Sequence, residues 1–356
     1  MDTSVMITLG FLVFAIIMFA WEKIPLSITA MVVAVGLHLS GVLSAKEAFA
    51  GFVDPNVLLF MGMFVIGEAF FATGVAVGVG NVVHKFAKTE TSLLVAVMMI
   101  TGILSGFLSN TGTAAVLIPV IIGICKKSGF KQTKLLMPLV FAAAMGGNIS
   151  LIGAPGNMIA QAGLQQAGLG SFGFFDYGLV GLPILIVGTI FYATIGKRFL
   201  PDAPSHQPDG AFEGNEDYSH VPSWKKWTSA LVLILTVGAM IFEKQLGVKL
   251  YVSAWVGALV LVATNVISES AAVRSIDMKT IMLFAGSMAL GDAMVKTGTG
   301  SVIADIIVNS LGASPSPIVV LVVIFVLGVF MTNFMSNTAT CALLVPIGLS
   351  LAAQLG

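Results

Sequence analysis

FLSNTGTAAVLIP runs from Phe107 to Pro119, and FMSNTATCALLVP runs from Phe334 to Pro346. Each sets Ser-Asn-Thr inside an apolar stretch that reads as membrane-embedded. Polar groups in hydrocarbon must find partners or a ligand, because water cannot satisfy them there. The two copies lie 227 residues apart (336 − 109). Such a pair reads as one binding site assembled from two halves.

The rest of the chain supports a membrane setting. Its 356 residues are 57% hydrophobic and 10% charged, with a mean hydropathy of +1.01, whereas a soluble domain carries about 25% charged residues. The apolar runs have helical length, and none alternates as a transmembrane barrel strand does. The expected fold class is therefore an all-α polytopic membrane protein. With a formal net charge of zero there is no basic footprint, so no nucleic-acid partner is expected. Cys125 and Cys341 form no metal-ligand pattern and read as small packing residues. No cluster of His, Asp and Glu and no nucleophile–base pair is visible, so the chain is not read as an enzyme. The run from Val5 to Ala20 lacks a preceding basic residue and a small-x-small cleavage site, so it reads as a mature span.

Apolar spans are expected at 5–20, 24–42, 57–80 and 178–196 in the first half. The stretch 92–125 is broken by Ser109-Asn110-Thr111, and 135–165 is broken by GGNISLIGAPGN (146–157). Residues 200–223, polar and proline-rich, read as a linker outside the bilayer. The second half has spans at 228–242, 250–267 and 280–296, an amphipathic piece at 301–312, and a broken stretch at 317–353. The halves also match elsewhere. Gly67-Glu68-Ala69 corresponds to Gly291-Asp292-Ala293, and Thr73-Gly74 to Thr297-Gly298, at an offset of 224. An internal repeat of this kind is the usual build of secondary transporters. The division is a first repeat over 1–199, the linker over 200–223 and a second repeat over 224–356 that ends after its hairpin.

Charge orients the repeats. If each broken Ser-Asn-Thr stretch returns to the side it entered from, one side carries 13 Lys and Arg. These include Lys85, Lys88, Lys126, Lys127, Lys131, Lys134, Lys197 and Arg198. The other side carries four: Lys46, Lys244, Lys249 and Lys296. By the positive-inside rule the N-terminus lies outside and the linker in the cytoplasm. The hairpins then enter from opposite sides, so the repeats are inverted. The arms flanking residue 110 hold about 17 and 14 residues, short of the ~20 of a full crossing.

At such a tip the second arm begins with unpaired N–H groups. Ser, Asn and Thr suit its cap, and the helix dipole favours an anion there. Side-chain oxygens and the carbonyls that end the first arm suit a hard cation such as sodium. Ser109, Asn110, Thr111, Ser336, Asn337 and Thr338 are the candidate residues. Ser105 and Thr332 stand one turn before each tip and read as cation ligands. The second break, with Asn148, Gly153, Pro155 and Asn157, cannot remain a regular helix, and its carbonyls would complete a cation site. No Lys or Arg lies in the middle of a span or hairpin arm, so an anion's charge would be offset by dipoles, donors and co-bound cations. Glu68 and Asp292 occupy equivalent places as buried carboxylates. They read more as helix-holding acids than as members of the main site, with a functional role as the rival reading. Gly74 and Gly78 read as helix-packing contacts.

The paired SNT-(A/G)-T segments, each followed by an apolar run to proline, and the G-x-P-x-N break resemble the divalent-anion:sodium symporter family. These are the di- and tricarboxylate transporters of the ion-transporter superfamily. The resemblance covers nearly the whole chain. It implies substrate carboxylates at both Ser-Asn-Thr tips. It also implies one sodium site from Ser105, Ser109, Asn110 and Gly153, and a second from Thr332, Met335 (by its backbone) and Asn337. It further implies a homodimer in the cell's inner (plasma) membrane and an elevator-type movement, with sodium as coupling ion and no cofactor. The first break reads G-A-P-G-N where the family commonly has G-T-P-P-N. This segment also resembles the arsenite-efflux and sodium/proton-antiporter branches, which gives the alternative function. A second G-x-P-x-N is expected near residue 380 (153 + 227), and the sequence ends at Gly356. The expectation is a truncated version of a protein about 70 residues longer, which lacks half of one cation site and should not transport.

Overall fold

A computed structural model describes residues 2–78, 89–128, 130–201, 218–311 and 316–355. Lys85, Lys88 and most of the 200–223 linker lie outside the described residues. The described residues form helices and connecting turns, with no strand among them. In chain order the main helices are α1 (Thr3–Trp21), α2 (Leu26–Leu39), α3 (Pro55–Ala72), α4 (Glu90–Ser105) and α5 (Asn110–Ser128). Next come α6 (Thr133–Gly146), α7 (Pro155–Gln166), α8 (Gly178–Thr194), α9 (Ser223–Ile241) and α10 (Leu250–Ala263). The chain continues through α11 (Glu269–Ser275), α12 (Met278–Thr297), α13 (Thr299–Leu311), α14 (Pro317–Met331) and α15 (Asn337–Leu355). Among the described residues α1, α3, α9 and α12 are long and apolar enough to cross a membrane. The chain is an all-helical, multi-pass membrane protein.

Both Ser-Asn-Thr stretches are helical hairpins. Helix α4 ends at Ser105 and α5 starts at Asn110, and the two pack together. Helix α14 ends at Met331 and α15 starts at Asn337, again in contact. Pro119 and Pro346 lie inside α5 and α15, each nine residues after the first helical residue (119 − 110 and 346 − 337). A 16-residue α4 rises about 24 Å at 1.5 Å per residue, short of a ~30 Å hydrocarbon core. Helix α5 has 19 residues, longer than the expected arm of about 14, because the helix continues past the apolar run through Lys126 and Lys127.

One expected span is shorter than the sequence suggested. The run 57–80 breaks after Ala72, where Gly74 takes φ +73°. Gly298, its counterpart in the second half, also has φ +73° and stops α12. Only glycine enters this left-handed region freely, so the matched Thr-Gly pairs are helix stops. Among the described residues Gly78 has no neighbour within 4 Å of where a Cβ would stand, whereas Gly74 lies against the Tyr218 ring.

The chain forms two compact units. The first holds Met1–Leu58, Met158–Ser171 and Asp277–Gly356. Its core joins α1, α2, α12 and α15 through Phe19, Leu37, Leu290, Ala293 and Leu343. Gly286 of α12 lies directly on the Ala30 backbone of α2. Small residues let helices approach closely in lipid, where packing replaces the drive to leave water. The second unit holds Leu59–Asn157 and Phe172–Ile276. Its core joins α4, α5, α6 and α8 through Leu94, Met98, Leu117, Ile121, Leu139 and Leu185. Each unit draws on both sequence repeats.

In the first unit Lys296, at the end of α12, donates to both carboxylate oxygens of Glu47 at 2.9 and 2.8 Å. Lys296 and the backbone N–H of Ser44 hold the Glu47 carboxyl down at about 2. A depressed carboxyl adds stability above its unfolded value and loses it as pH falls through the folded value. Lys296→Gln should therefore reduce the acid destabilisation that develops between pH 4.5 and 2, leaving the share due to the Ser44 hydrogen bonds. Melting curves of both proteins over that range check this.

Candidate functional site

The first tip is built around Ser109. Its Oγ accepts from the Gly112 N–H at 3.1 Å, and its carbonyl accepts from Thr113 at 2.9 Å. Ser109 is thus the N-cap of α5, and the N–H groups of Asn110 and Thr111 have no acceptor within the helix. Ser109 and Thr111 are exposed. The second tip repeats this geometry. Ser336 Oγ accepts from Ala339 at 3.2 Å, and its carbonyl accepts from Thr340 at 3.0 Å. Asn337 is exposed, while Ser336 and Thr338 are half-buried.

Behind the first tip four oxygen-bearing groups converge. Ser105, fully buried, donates to the Ala143 carbonyl at 2.7 Å. One end of the Asn110 carboxamide lies 2.7 Å from Ser105 Oγ, 3.1 Å from the Gly153 carbonyl and 3.2 Å from the Ala143 carbonyl. Its placement satisfies all three oxygens if the nitrogen is the end facing them. Nδ2 then donates to Ser105 and Gly153, and the single Ser105 hydroxyl proton goes to Ala143. With the oxygen in that place, the group becomes a cluster of four neutral oxygens, the ligand type that hard cations take. Among the described residues no group of three His, Cys, Asp or Glu is arranged to hold a metal.

The broken segment between α6 and α7 supplies the Gly153 carbonyl, the last turn of α6 supplies that of Ala143, and the break is pinned in place. Buried Asn157 donates to the carbonyls of Gly147 and Ser150, both at 2.9 Å, and its own carbonyl accepts from Tyr177 Oη at 2.8 Å. Asn157 is therefore a brace for the break, not a ligand at the tip. Ser150 Oγ donates to the Gly106 carbonyl, which ties the break to the end of α4. A Cβ on Gly153 would stand 2.5 Å from the Gly147 carbonyl oxygen. Pro155 occupies the first position of α7, where a missing N–H does no harm. Asn148 is exposed, and its carbonyl packs on Gly181 of α8.

The sequence-derived candidates thus divide. Ser105, Ser109, Asn110, Thr111 and Gly153 form one cluster in the second unit. Ser336, Asn337 and Thr338 form the matching cap in the first unit, and Met335 beside it is buried. Thr332 does not resemble its counterpart Ser105: it is exposed, and its hydroxyl bonds back to Val329 at 3.0 Å. Glu68 and Asp292 are half-buried in α3 and α12, each about three-quarters of the way along its helix. Gly147 belongs to the break that the sequence marks, whereas Ala143, Ser150 and Tyr177 are not singled out there. Of these, only Ser150 carried a signal, as a hydroxyl inside the glycine-rich break.

Comparison with known proteins fits this architecture. An uncharacterized transporter of Haemophilus influenzae is 27% identical over 368 residues, covering 98% of this chain and 77% of that protein. The uncharacterized transporter YfbS of Escherichia coli is 32% identical over 211 residues, 59% of this chain, and the match spans 35% of YfbS. The sodium-dependent dicarboxylate transporter SdcS of Staphylococcus saprophyticus is 24% identical, covering 92% of this chain and 69% of SdcS. The fold is similar to the crystal structure of the Alcanivorax borkumensis YdaH transporter, described as having an unusual topology. That match has a TM-score of 0.62 and 15% identity, and covers 98% of this chain and 83% of that one. The family described as CitMHS, citrate transporter, matches residues 16–356, and the chain belongs to that family.

Proposed function

We propose that this protein is a secondary active transporter that takes up di- or tricarboxylate anions by symport with sodium. The observation that carries this reading is the adjacency, at one tip, of two opposite chemistries. Ser109 caps α5 so that the Asn110 and Thr111 N–H groups face outward, where the helix dipole favours a carboxylate. On the other side, Ser105, Ala143 and Gly153 offer neutral oxygens to sodium, and Asn110 joins them once its carboxamide turns its oxygen towards them. Lys and Arg are absent from the sequence of the tip, so a bound cation is the available counter-charge for a carboxylate. Neither ion is well held without the other, and that dependence is the coupling. The second tip offers the same chemistry through Ser336, Asn337 and Thr338, with Thr332 and the Met335 backbone at a second sodium site. Sodium is cargo here, and the solute undergoes no covalent change.

The hairpins in this reading are re-entrant, dipping from opposite faces of the plasma membrane, with the N-terminus outside and residues 200–223 in the cytoplasm. Access alternates by an elevator-type movement within a homodimer. SdcS, named as sodium-dependent and dicarboxylate-transporting, supports the choice of ion and solute class.

The test is uptake of labelled succinate and citrate by proteoliposomes containing the full-length protein. Accumulation should require an inward sodium gradient and should fall at least tenfold when choline replaces sodium. Uptake driven by a proton gradient in sodium-free buffer, or arsenite export in place of carboxylate uptake, would transfer the protein to the antiporter or efflux branches.

A further inference from the structure

A second polar feature lies away from the hairpin tip, within the second unit. A cleft of about 440 Å³ is lined by Glu90, Thr91 and Leu94 of α4, Lys134 of α6, and Lys197 and Arg198 just beyond α8. Among the described lining residues three cations and one carboxylate give a net charge of +2 (3 − 1). The cleft is held in shape: Lys197 Nζ donates to Thr91 Oγ1 at 3.3 Å, and Thr133 Oγ1 donates to the Pro201 carbonyl at 2.9 Å. Glu90 Oε1 is buried without a hydrogen-bond partner among the described residues. An apolar seam leads away from the cleft. Met137 and Phe141 of α6 lie three and seven residues after Lys134, on its face of the helix, and both are exposed. Ile190 and Phe191 of α8 are exposed as well, and the rings of Phe141 and Tyr192 meet across the seam at 5.9 Å.

We infer that this cleft and seam form a binding site for an anionic phospholipid with a hydroxylated headgroup, with phosphatidylglycerol as the probe. The phosphate fits the Lys134, Lys197 and Arg198 end, and the Glu90 side chain on the cleft wall is an acceptor for a headgroup hydroxyl. The acyl chains fit the exposed α6–α8 seam. A free phosphate ion would use the cations and leave the seam without a partner. The inference rests on the membrane setting of these helices and is independent of which solute the protein carries.

Titration of the purified full-length protein with short-chain phosphatidylglycerol, read by native mass spectrometry and by melting temperature, tests it. Phosphatidylglycerol should bind and raise the melting temperature, whereas phosphatidylcholine and inorganic phosphate should not. Lys197→Gln/Arg198→Gln should weaken that binding about 25-fold, at roughly fivefold per cation near a membrane surface. Lys225→Gln/Lys226→Gln removes the same charge outside the cleft and should leave binding within about twofold. Equal loss in both variants would reduce the effect to diffuse surface charge, and an equal shift with inorganic phosphate would make the ligand a free anion; either overturns the proposal. If the cleft variant fails to fold, photoactivatable phosphatidylglycerol on the wild-type protein decides the matter. Labelling should concentrate in 133–141 and 184–200, and even labelling across the helices would refute the site.

Discussion

Gly146→Ala should abolish most of the folded protein. A Cβ at this position would overlap the Gly102 backbone, carbonyl oxygen included, and neither partner is a flexible side chain that can swing aside. Gly102 is itself backed by Leu185, so α4 cannot simply retreat. Overpacking ordinarily costs about 1–3 kcal/mol, and this contact, backbone on backbone, belongs at or above the upper end. The consequence extends past stability, because α4 and α6 carry Ser105 and Ala143, which meet at 2.7 Å. Any separation of these helices opens the oxygen cluster. Gly10→Ala and Gly238→Ala provide the contrast. Neither has an atom within 4 Å of the new methyl group, and alanine is preferred to glycine in a helix by about 0.5–1 kcal/mol. Thermal unfolding in detergent, with monodisperse yield, should place Gly146→Ala well below wild type and the other two at or above it. Wild-type melting of Gly146→Ala would contradict the packing described for α4 and α6.

Why the tips were legible in the sequence and the cluster behind them only partly so is a matter of which atoms do the work. Ser109, Asn110, Ser336 and Asn337 stand out because a side-chain polar group in an apolar run is costly and has few bland uses. Ser105 was visible by its spacing, one turn before the tip. Ala143 was not, because it acts through a backbone carbonyl, which every residue type possesses, and only the packing of α6 against α4 aims it. Thr332 differs from its counterpart for the same reason. Its position matches Ser105, but a hydroxyl becomes a buried partner only where another segment packs over it, and Thr332 is exposed. The end of α3 was misplaced because glycine is common inside membrane helices, and nothing local distinguishes Gly74 in the left-handed region from Gly67 in mid-helix. Unit membership was likewise hidden. Helices such as α1 and α14 are apolar on all sides, so the pattern offers no preferred face to assign to a neighbour. The pairing of α2 with α12 depends instead on the close fit of Gly286 to Ala30.

Asn110→Asp should make folding stability depend on sodium, and Asn110→Ala should remove transport without doing so. The aspartate carboxylate would face the Gly153 and Ala143 carbonyls at 3.1 and 3.2 Å and Ser105 Oγ at 2.7 Å. Ser105 has one hydroxyl proton to donate, so an ionised carboxylate there leaves acceptors facing acceptors. A buried polar group deprived of its partner costs about 1–3 kcal/mol, more for a charged one. Sodium reverses the sign, because a carboxylate among neutral oxygens is a better cation ligand than a carboxamide. The variant should therefore melt well below wild type in choline chloride and recover most of the difference in sodium chloride. With a hundredfold excess of sodium over its dissociation constant the recovery would be about 2.7 kcal/mol. Asn110→Ala deletes both the ligand and the repulsion, so its melting temperature should be insensitive to the cation while sodium-driven uptake falls at least a hundredfold. If Asn110→Asp melts identically in the two salts, the four groups are a hydrogen-bonded brace of the tip. Sodium coupling would then have to come from the second tip, where Thr332 and Asn337 are exposed.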